Sequence, residues 1–312
     1  MSMPKAKLDF APQVEFSRIL TNPILDIAAN FWDSERYEAF RVFYRSMRRI
    51  DDLVDHRKAS KGKISPAEAD LLAAMIRDWL EAVRRREQVD EYQTAFLEML
   101  DRFAVPFWPW ERLANAMEYD LRNEGFISLT VFLRYCEGAA ISPAAIFMHL
   151  CGVVKDGDRY RAPAYDIRQA SRHLALFSYL VHIVRDFEKD QKNGLNYFAY
   201  DILAQNNLTA EELQRIAKSG GVNVGFRSVA TTYRRIADYY RVRARVMIDR
   251  VLPQLEPRYQ LSLEIIYGLY NQIFARIDVE RGSFTTEALN PSPEEVGRQI
   301  EHIISTFCPA KL

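Results

Sequence analysis

The spacing of apolar residues constrains the fold of this chain most strongly, because it follows the period of an α-helix. Between positions 71 and 83, apolar side chains recur at helical spacing, at Leu71, Leu72, Met75, Ile76, Trp79, Leu80 and Val83. This spacing places them on one face of a helix. No segment shows the strong apolar–polar alternation that would predict half-buried strands. The sequence therefore predicts an all-α fold.

Capping sequences mark several helix starts. Ser65, Thr209 and Ser292 each precede a glutamate by three residues, which allows reciprocal hydrogen bonds at the first turn. The chain has only 12 glycines and 13 prolines among 312 residues. Their combined share, about 8%, is below the average of about 12%. We predict one domain over residues 1–312, with residues 1–13 disordered and 193–224 least regular. The predicted helices are 23–33, 35–58, 66–88, 91–104, 110–123, 128–153, 164–192, 225–251, 257–281 and 293–307.

Composition excludes several classes of protein. Lysine plus arginine and aspartate plus glutamate both total 42, so the chain lacks the basic surplus of a nucleic-acid binder. Three scattered cysteines indicate a reducing compartment rather than a disulfide framework. No signal peptide is visible, so we expect a cytoplasmic protein. The longest charge-free run, Gly138 to Val154, is interpreted as a buried core helix, with peripheral membrane contact left open.

The first candidate functional segment contains Asp51 and Asp55, four residues apart on a predicted helix. Their carboxylates point from one face and repel each other unless a cation lies between them. Mg²⁺ binds such oxygens, often together with phosphate. Arg48 lies three residues earlier and could face the same opening. The alternative is a solvated acidic helix face.

The second candidate segment repeats this arrangement with Asp186 and Asp190, and His182 extends the line by one turn. Arg185 and Lys189 form a basic line beside it. The preceding residues are almost wholly apolar, so this helix should leave the core at the edge of a cleft. The alternative is a charged helix end in water, with His182 a hydrogen-bonded core histidine.

If the two predicted helices face each other, the segments form an acidic opening above an apolar pocket. Mg²⁺ there would neutralise a leaving diphosphate, and arginines would bind its oxygens. The pocket would hold a hydrocarbon chain and shield a carbocation from water. Aromatic faces can stabilise such a cation, and the chain has 38 aromatic residues.

In these segments the chain resembles the squalene/phytoene synthase family, the head-to-head prenyl synthases, over roughly residues 14 to 285. The resemblance implies a single-domain, isoprenoid-synthase-type helical bundle around a central apolar cavity. The segments that carry it are Phe43–Asp55, Met117–Leu121, Leu133–Gly138, Val184–Asp190 with Gly194 and Tyr197, and Tyr270–Ile277.

The resemblance also implies roles for individual residues. It assigns Mg²⁺ binding to Asp51, Asp55, Asp186 and Asp190, and diphosphate binding to Arg48 and Arg185. It places three tyrosines along the pocket near the reacting carbons, although each could instead be a core aromatic residue with one hydrogen bond. The three are Tyr44, Tyr135 and Tyr270. The substrate site would further include Tyr179, His182 and Lys189.

Four positions depart from the family pattern, and they cluster around the second substrate site. The family usually has asparagine at His182, glutamine at Tyr179, small Gly and Val at Pro143-Ala144, and arginine at Leu195. Neutral imidazole is a poorer Mg²⁺ ligand than an amide oxygen. His182 could bind diphosphate, act as a base or not bind metal.

Three hypotheses follow from the sequence. The leading one is an Mg²⁺-dependent prenyltransferase that condenses two farnesyl or geranylgeranyl diphosphates head-to-head to a squalene- or phytoene-like product. The second is a terpene synthase that uses one prenyl diphosphate. The third is a non-catalytic binding or assembly protein with the same fold. The sequence leaves open prenyl chain length, oligomeric state and NADPH use. No dinucleotide-binding glycine motif is present, but the squalene-forming members of the family that the chain resembles use NADPH without one.

Overall fold

The computed structural model describes residues 14–60 and 63–311, and it confirms the all-α prediction. The predicted disorder of residues 1–13 lies outside these described residues. The regular elements of the described part of the chain are sixteen α-helices, one 3₁₀-helix at Leu252–Gln254 and one short β-hairpin. The helices are α1 Phe16–Ile19, α2 Ile24–Ala29, α3 Ser34–Ala59, α4 Pro66–Arg84, α5 Glu91–Arg102, α6 Trp108–Arg122, α7 Leu129–Ala139, α8 Ile141–Gly152, α9 Ile167–Arg185, α10 Phe187–Lys192, α11 Tyr200–Gln205, α12 Ala210–Ser219, α13 Val224–Val251, α14 Pro257–Arg276, α15 Thr286–Leu289 and α16 Pro293–Thr306.

The predicted caps begin helices where the sequence indicated. Thr209 and Ser292 form complete capping boxes with Glu212 and Glu295. Ser65 accepts a hydrogen bond from the backbone amide of Glu68, but the Glu68 carboxylate binds Arg57 instead of reaching back. The Arg57–Glu68 pair therefore joins α3 to α4.

Helix α9 lies inside the bundle and determines where the other helices meet. It packs against α8, α13 and α14, while α3 packs against α6 and α8. Eleven of its residues are buried, among them Leu176, Phe177 and Leu180, which have no exposed surface. The buried apolar residues form one continuous core from Ile19 to Ile300. This packing brings the carboxyl-terminal half of α3 close to the end of α9.

Proline breaks the apolar helix that the sequence predicts over residues 128–153. The structure has two helices there, α7 and α8, separated at Ala140, whose φ of −111° departs from helical geometry. Pro143 cannot donate a backbone hydrogen bond, and its ring clashes with the carbonyl group four residues earlier. The break occurs one residue after that position and leaves Pro143 facing the interior cavity.

The predicted helix 164–192 is also divided. Helix α9 ends at Arg185 and α10 begins at Phe187, with Asp186 between them at φ −91° and ψ 7°. The amide of Asp190 still bonds to the carbonyl oxygen of Asp186 over 2.8 Å. The chain therefore bends at Asp186, but Asp186 and Asp190 remain one helical turn apart. No glycine or proline marks this bend in the sequence.

Several short elements were missed or misplaced by the helix predictions. The segment 193–224 contains α11 and α12, and α14 ends at Arg276 rather than at 281. Residues Val154–Asp156 and Arg159–Arg161 form an antiparallel hairpin. Its turn contains Gly157 at φ 61°, a conformation that favours glycine. The Asp156-Gly157 pair was an available turn signal.

The apolar stretch Leu129–Gly152 is long and apolar enough to cross a membrane. However, 61% of its most apolar window is buried inside the protein. Ten of the twelve residues of α8 are buried. This burial supports the interpretation of the charge-free run as a core helix.

Gly138 allows α7 to lie directly against α6. A methyl group at this position would lie 2.1 Å from the carbonyl oxygen of Arg112 and 2.7 Å from Cβ of Ala116. We expect Gly138→Ala to lower the free energy of unfolding by about 1–3 kcal/mol, because a backbone oxygen cannot move aside cheaply. Urea denaturation measures the change. Gly221→Ala is the control, since its methyl group would approach only Ser219 Oγ, at 3.5 Å. Equal stability of the two variants would contradict the prediction.

Candidate active site

A cavity of about 290 Å³ lies between α3, α7, α8, α9 and α14. Its lower wall is apolar and deeply buried, with Phe147, Met148, Leu263 and Ile266 at most 3% exposed. Its other end carries the charged lining residues. Eight of the twelve predicted site residues line it: Tyr44, Arg48, Asp51, Asp55, Tyr135, Tyr179, His182 and Tyr270. The structure thus places a charged opening above an apolar interior.

Asp51 and Asp55 lie on successive turns of α3 at this opening. Burial, followed by the charge of Asp55, raises the pKa of Asp51 from 3.8 to about 7. Burial and the charge of Asp120 raise the pKa of Asp55. In the part of the chain that the structure describes, the Asp55 carboxylate has no ion-pair or hydrogen-bond partner. The two carboxylates are therefore held together against their mutual repulsion.

Asp190 on α10 completes an acidic group across the opening. Burial raises its pKa from 3.8 to about 7, helped by the charges of Asp186 and, from the opposite side, Asp55. Like Asp55, its side chain has no ion-pair partner within the described ranges 14–60 and 63–311. The two aspartate segments therefore lie close enough together for Asp55 to raise the pKa of Asp190.

Asp186 occupies a different electrostatic environment from the other three aspartates. Arg185 binds both of its oxygens, at 2.7 and 2.9 Å, and His182 Nε2 lies 3.0 Å from Oδ2. Burial opposes ionisation, but the hydrogen bonds from Arg185 and His182 outweigh it and hold the pKa of Asp186 well below its usual range. Asp186 is thus already neutralised by protein groups.

His182 is engaged at both ring nitrogens. Nη2 of Arg185 lies 2.8 Å from Nδ1, and since guanidinium can only donate, Nδ1 accepts. Nε2 then carries the proton that points to Asp186. This arrangement requires the neutral imidazole and leaves no lone pair for a metal ion. His182 acts here as a link between Arg185 and Asp186.

The basic residues predicted to bind the substrate differ in their partners and in their exposure. Arg48 binds Asp51 and Asp52 on its own helix, with 46% of its side chain exposed. Arg185 is occupied by Asp186 and His182. Lys189 is exposed on α10 and does not line the cavity. Its positive charge offsets part of the rise in the pKa of Asp190.

The predicted tyrosines reach the cavity from three sides. Tyr44 stacks on Phe40 at 5.4 Å between ring centroids. Burial raises the pKa of Tyr270 to about 12. Tyr135 is buried, and its hydroxyl donates to Asp120 Oδ2 over 2.6 Å. All three tyrosines therefore line the cavity, and the hydroxyl group of Tyr135 is bound to Asp120.

Sequence reasoning did not single out Asp120 and Lys58. Asp120 on α6 is only 4% exposed, and Lys58 Nζ lies 2.7 Å from its Oδ1. The sequence does contain a signal for Asp120, because it lies on the apolar face of α6. It follows the buried Met117 by three residues and the buried Leu113 by seven. A charged residue at such a position usually has a partner, and Lys58 supplies it from the last turns of α3.

The donor set fits Mg²⁺ that is bound together with a phosphate ligand. The described residues contain no group of three His, Cys, Asp or Glu side chains that could hold a metal ion by themselves. Mg²⁺ in phosphate-transferring sites commonly takes only one or two carboxylates and fills its shell with water and phosphate oxygens. The unpartnered carboxylates of Asp55 and Asp190, with Asp51 beside them, match that requirement.

One known sequence family matches most of the chain. The sequence model of the squalene/phytoene synthase family matches residues 27–292. Phytoene synthase 2, chloroplastic, of Zea mays is 25% identical over 81% of this chain and 59% of its own length, and that of Oryza sativa subsp. japonica is 24% identical over 81% and 60%. The chain thus spans about 60% of the length of these relatives.

Solved structures of low sequence identity share the fold. A dehydrosqualene synthase superposes with a TM-score of 0.71 over 95% of both chains, at 16% identity. A squalene synthase from Alicyclobacillus acidocaldarius gives 0.64 over 86% of this chain and 92% of its own, also at 16% identity. The predicted isoprenoid-synthase-type helical bundle is therefore confirmed.

Proposed function

Because the chain belongs to the squalene/phytoene synthase family, we propose that it is an Mg²⁺-dependent prenyltransferase. It joins two prenyl diphosphates, of the farnesyl or geranylgeranyl class, at their C1 ends and releases diphosphate. The observation that carries this proposal is the group of unpartnered carboxylates above an apolar cavity. A hydrocarbon chain fits such an interior, and a metal-bound diphosphate fits the acidic opening.

Asp51, Asp55 and Asp190 are the residues that would hold Mg²⁺. Bound there, the ion supplies neutralisation of the negative charge that develops on the departing diphosphate. The protein's own contribution is to hold these carboxylates close together, and the electrostatic cost of doing so is visible in the raised pKa values of Asp51 and Asp190. Asp186 keeps Arg185 and His182 in place beside them.

Arg48 and Arg185 would bind diphosphate oxygens. Both are held at the opening by carboxylates, Arg48 by Asp51 and Asp52, and Arg185 by Asp186. Arginine donates up to five hydrogen bonds in a planar fork, so each guanidinium can keep a carboxylate and still contact phosphate. Positive charge is thus positioned before the substrate arrives.

The apolar part of the cavity would hold the prenyl chains and exclude water from the carbocation. The aromatic faces of Tyr44, Phe147 and Tyr270 line it, and such faces attract cations. The neutral hydroxyl groups of Tyr44 and Tyr270 are weak nucleophiles. The cation would therefore survive long enough to form a carbon–carbon bond.

A one-substrate reaction is the second candidate, and the bulk of Tyr179 favours it. This ring lines the cavity between His182, with which it is parallel at 6.2 Å, and Tyr135, at 6.5 Å. A large side chain there reduces the space for a second prenyl chain. The protein would then cyclise or hydrolyse a single prenyl diphosphate after the same ionisation.

Product identification separates the candidates. The protein is incubated with C10, C15 or C20 prenyl diphosphate and Mg²⁺, with and without NADPH, and products are identified by mass spectrometry. We expect C30 or C40 hydrocarbon together with diphosphate. Products that contain one prenyl chain support the second candidate instead. Absence of Mg²⁺-dependent binding or turnover of every substrate would contradict both and favour a non-catalytic role.

A further inference from the structure

The apolar cavity has a closed end, formed by Phe147, that limits the length of the prenyl chain it can hold. On α3, the carboxylates of Asp51 and Asp55 lie at the opposite, charged opening. Because an α-helix rises about 1.5 Å per residue, Phe40 lies about 16 Å before Asp51 along the same helix. The ring of Phe147 packs against that of Phe40, with 5.9 Å between the centroids. Phe147 is therefore far from the carboxylates.

Phe147 is held in place by aromatic rings behind the cavity wall. Its ring centroid lies 4.6 Å from that of Trp32, and both side chains are buried. Trp32 is fixed in turn, because its Nε1 donates to Ser262 Oγ over 2.8 Å, and that oxygen lies 2.8 Å from the carbonyl oxygen of Ala28. Phe40 packs edge-on against Phe147 from another side. Because such interiors are close-packed, the closed end cannot retreat from a longer ligand without strain.

The volume of the cavity fits one chain of intermediate length. An apolar protein cavity of about 150 Å³ binds benzene, a ring of six carbon atoms, which corresponds to about 25 Å³ per carbon. At that ratio the volume of about 290 Å³ found here holds about twelve carbon atoms. A C15 chain fits if its first carbons lie in the charged opening beside the diphosphate. A C20 chain has one further isoprene unit, for which no apolar space remains.

The neighbouring side chain in the cavity wall sets a less definite limit than Phe147 does. Met148 follows Phe147 in α8 and also lines the cavity. Its unbranched thioether side chain adapts to a longer ligand by changing its rotamer. The ring of Phe147 is rigid, and the rings of Trp32 and Phe40 block its movement. The size of the residue at position 147 therefore decides where the cavity ends.

We propose that Phe147 determines prenyl chain length, so that the cavity accepts a farnesyl (C15) chain and excludes a geranylgeranyl (C20) chain, an inference that rests on the proposed function. It concerns the chain that binds first and therefore applies to both candidate reactions. A C20 chain enters only if apolar carbons remain at the opening, beside Asp51, Asp55 and Asp190, where they are not buried. Condensation of two chains then gives a C30 rather than a C40 hydrocarbon.

Phe147→Ala tests the limit because it removes the whole ring and opens space for a further isoprene unit. Non-ionisable C15 and C20 prenyl diphosphate analogues are titrated with Mg²⁺ into wild type and variant, and the ratio of the C20 Kd to the C15 Kd is measured. We expect a ratio of at least about 10 in wild type and a fall of at least about 10-fold in Phe147→Ala, since one extra methylene group in an apolar pocket changes discrimination about 10–200-fold. Phe147→Leu, which keeps a smaller apolar side chain, should give an intermediate ratio.

Phe96→Ala is the matched control. Phe96 is fully buried against Phe43 and Trp110, and it does not line the cavity. Its ratio should equal that of wild type. Thermal unfolding checks that each variant is folded, and Phe147→Leu decides if Phe147→Ala is not. A wild type that binds both analogues equally, or an unchanged ratio in a folded Phe147 variant, overturns the chain-length limit while the proposed function stands. A wild type that binds neither analogue with Mg²⁺ overturns both.

Discussion

Asparagine in place of Asp190 is expected to lower Mg²⁺-dependent diphosphate release by about 10²–10³-fold, the usual effect of losing one preorganised electrostatic group. Asp190 has no protein partner among the residues described, so its carboxylate is available to a metal ion. Asparagine keeps the shape but removes the charge. The same loss is expected for Asp55→Asn, whose carboxylate faces Asp190 across the opening. Single-turnover release of diphosphate measures the effect.

The Asp190→Asn variant should also be more stable than wild type in the absence of metal. Burial and neighbouring charges raise the Asp190 pKa from 3.8 to about 7. The folded state thus keeps a proton that the unfolded state loses, and stability falls as pH rises between about 4 and 7. Asparagine cannot ionise, so the variant does not lose this stability as the pH rises. Thermal unfolding at pH 8 without Mg²⁺ should give a higher Tm for the variant.

Glu188→Gln is the control for both measurements. Glu188 lies on α10 close to Asp190, but it binds Lys192 and the amide of Thr286 rather than the opening. Its diphosphate release should match that of wild type. Its Tm should not rise, since the change weakens favourable contacts. Full activity in Asp190→Asn, or a lower Tm than wild type, would contradict the assignment of Asp190.

Methionine in place of Lys58 is expected to lower the free energy of unfolding by about 3–5 kcal/mol at pH 8. The variant leaves the buried Asp120 carboxylate with the Tyr135 hydroxyl but without its ammonium partner. The charge of Asp120 also raises the pKa of Asp55, whereas that of Lys58 lowers it. The lysine therefore reduces the repulsion between the two carboxylates. Urea denaturation measures the loss.

Two comparisons isolate this effect. Lys63→Met removes a lysine whose pair with Glu124 is 86% and 71% exposed, and such surface pairs contribute about 0–1 kcal/mol. The double variant Lys58→Met/Asp120→Asn should recover part of the lost stability, because no unpaired charge remains. A loss below about 1 kcal/mol in Lys58→Met would show that Asp120 is not held as a buried ion.

The main features of the fold and site could be predicted from local sequence. Helix starts at Ser65, Thr209 and Ser292 depend on residues three positions apart, so they are visible in the chain. The i, i+4 spacing of Asp51 with Asp55, and of Asp186 with Asp190, likewise reports which carboxylates share a face. The expectation that the two pairs form one site depends on the family resemblance and not on their spacing.

Features that depend on residues distant in sequence could not be predicted in the same way. The Lys58–Asp120–Tyr135 chain joins α3, α6 and α7. The bend at Asp186 has no glycine or proline to mark it. The sequence leaves open whether His182 binds diphosphate, acts as a base or does not bind metal, because its geometry depends on Arg185 and Asp186, which bind both ring nitrogens.

The central claim is that the carboxylates of α3 and α10 share Mg²⁺ with a prenyl diphosphate. The most direct test is isothermal titration of a non-ionisable prenyl diphosphate analogue into wild type, Asp55→Asn, Asp190→Asn and Glu188→Gln, with Mg²⁺ or with EDTA. The account predicts tight binding only with Mg²⁺, at least about 10-fold weaker in both aspartate variants and unchanged in Glu188→Gln. Equal affinity with Mg²⁺ and with EDTA, or in all four proteins, would contradict it.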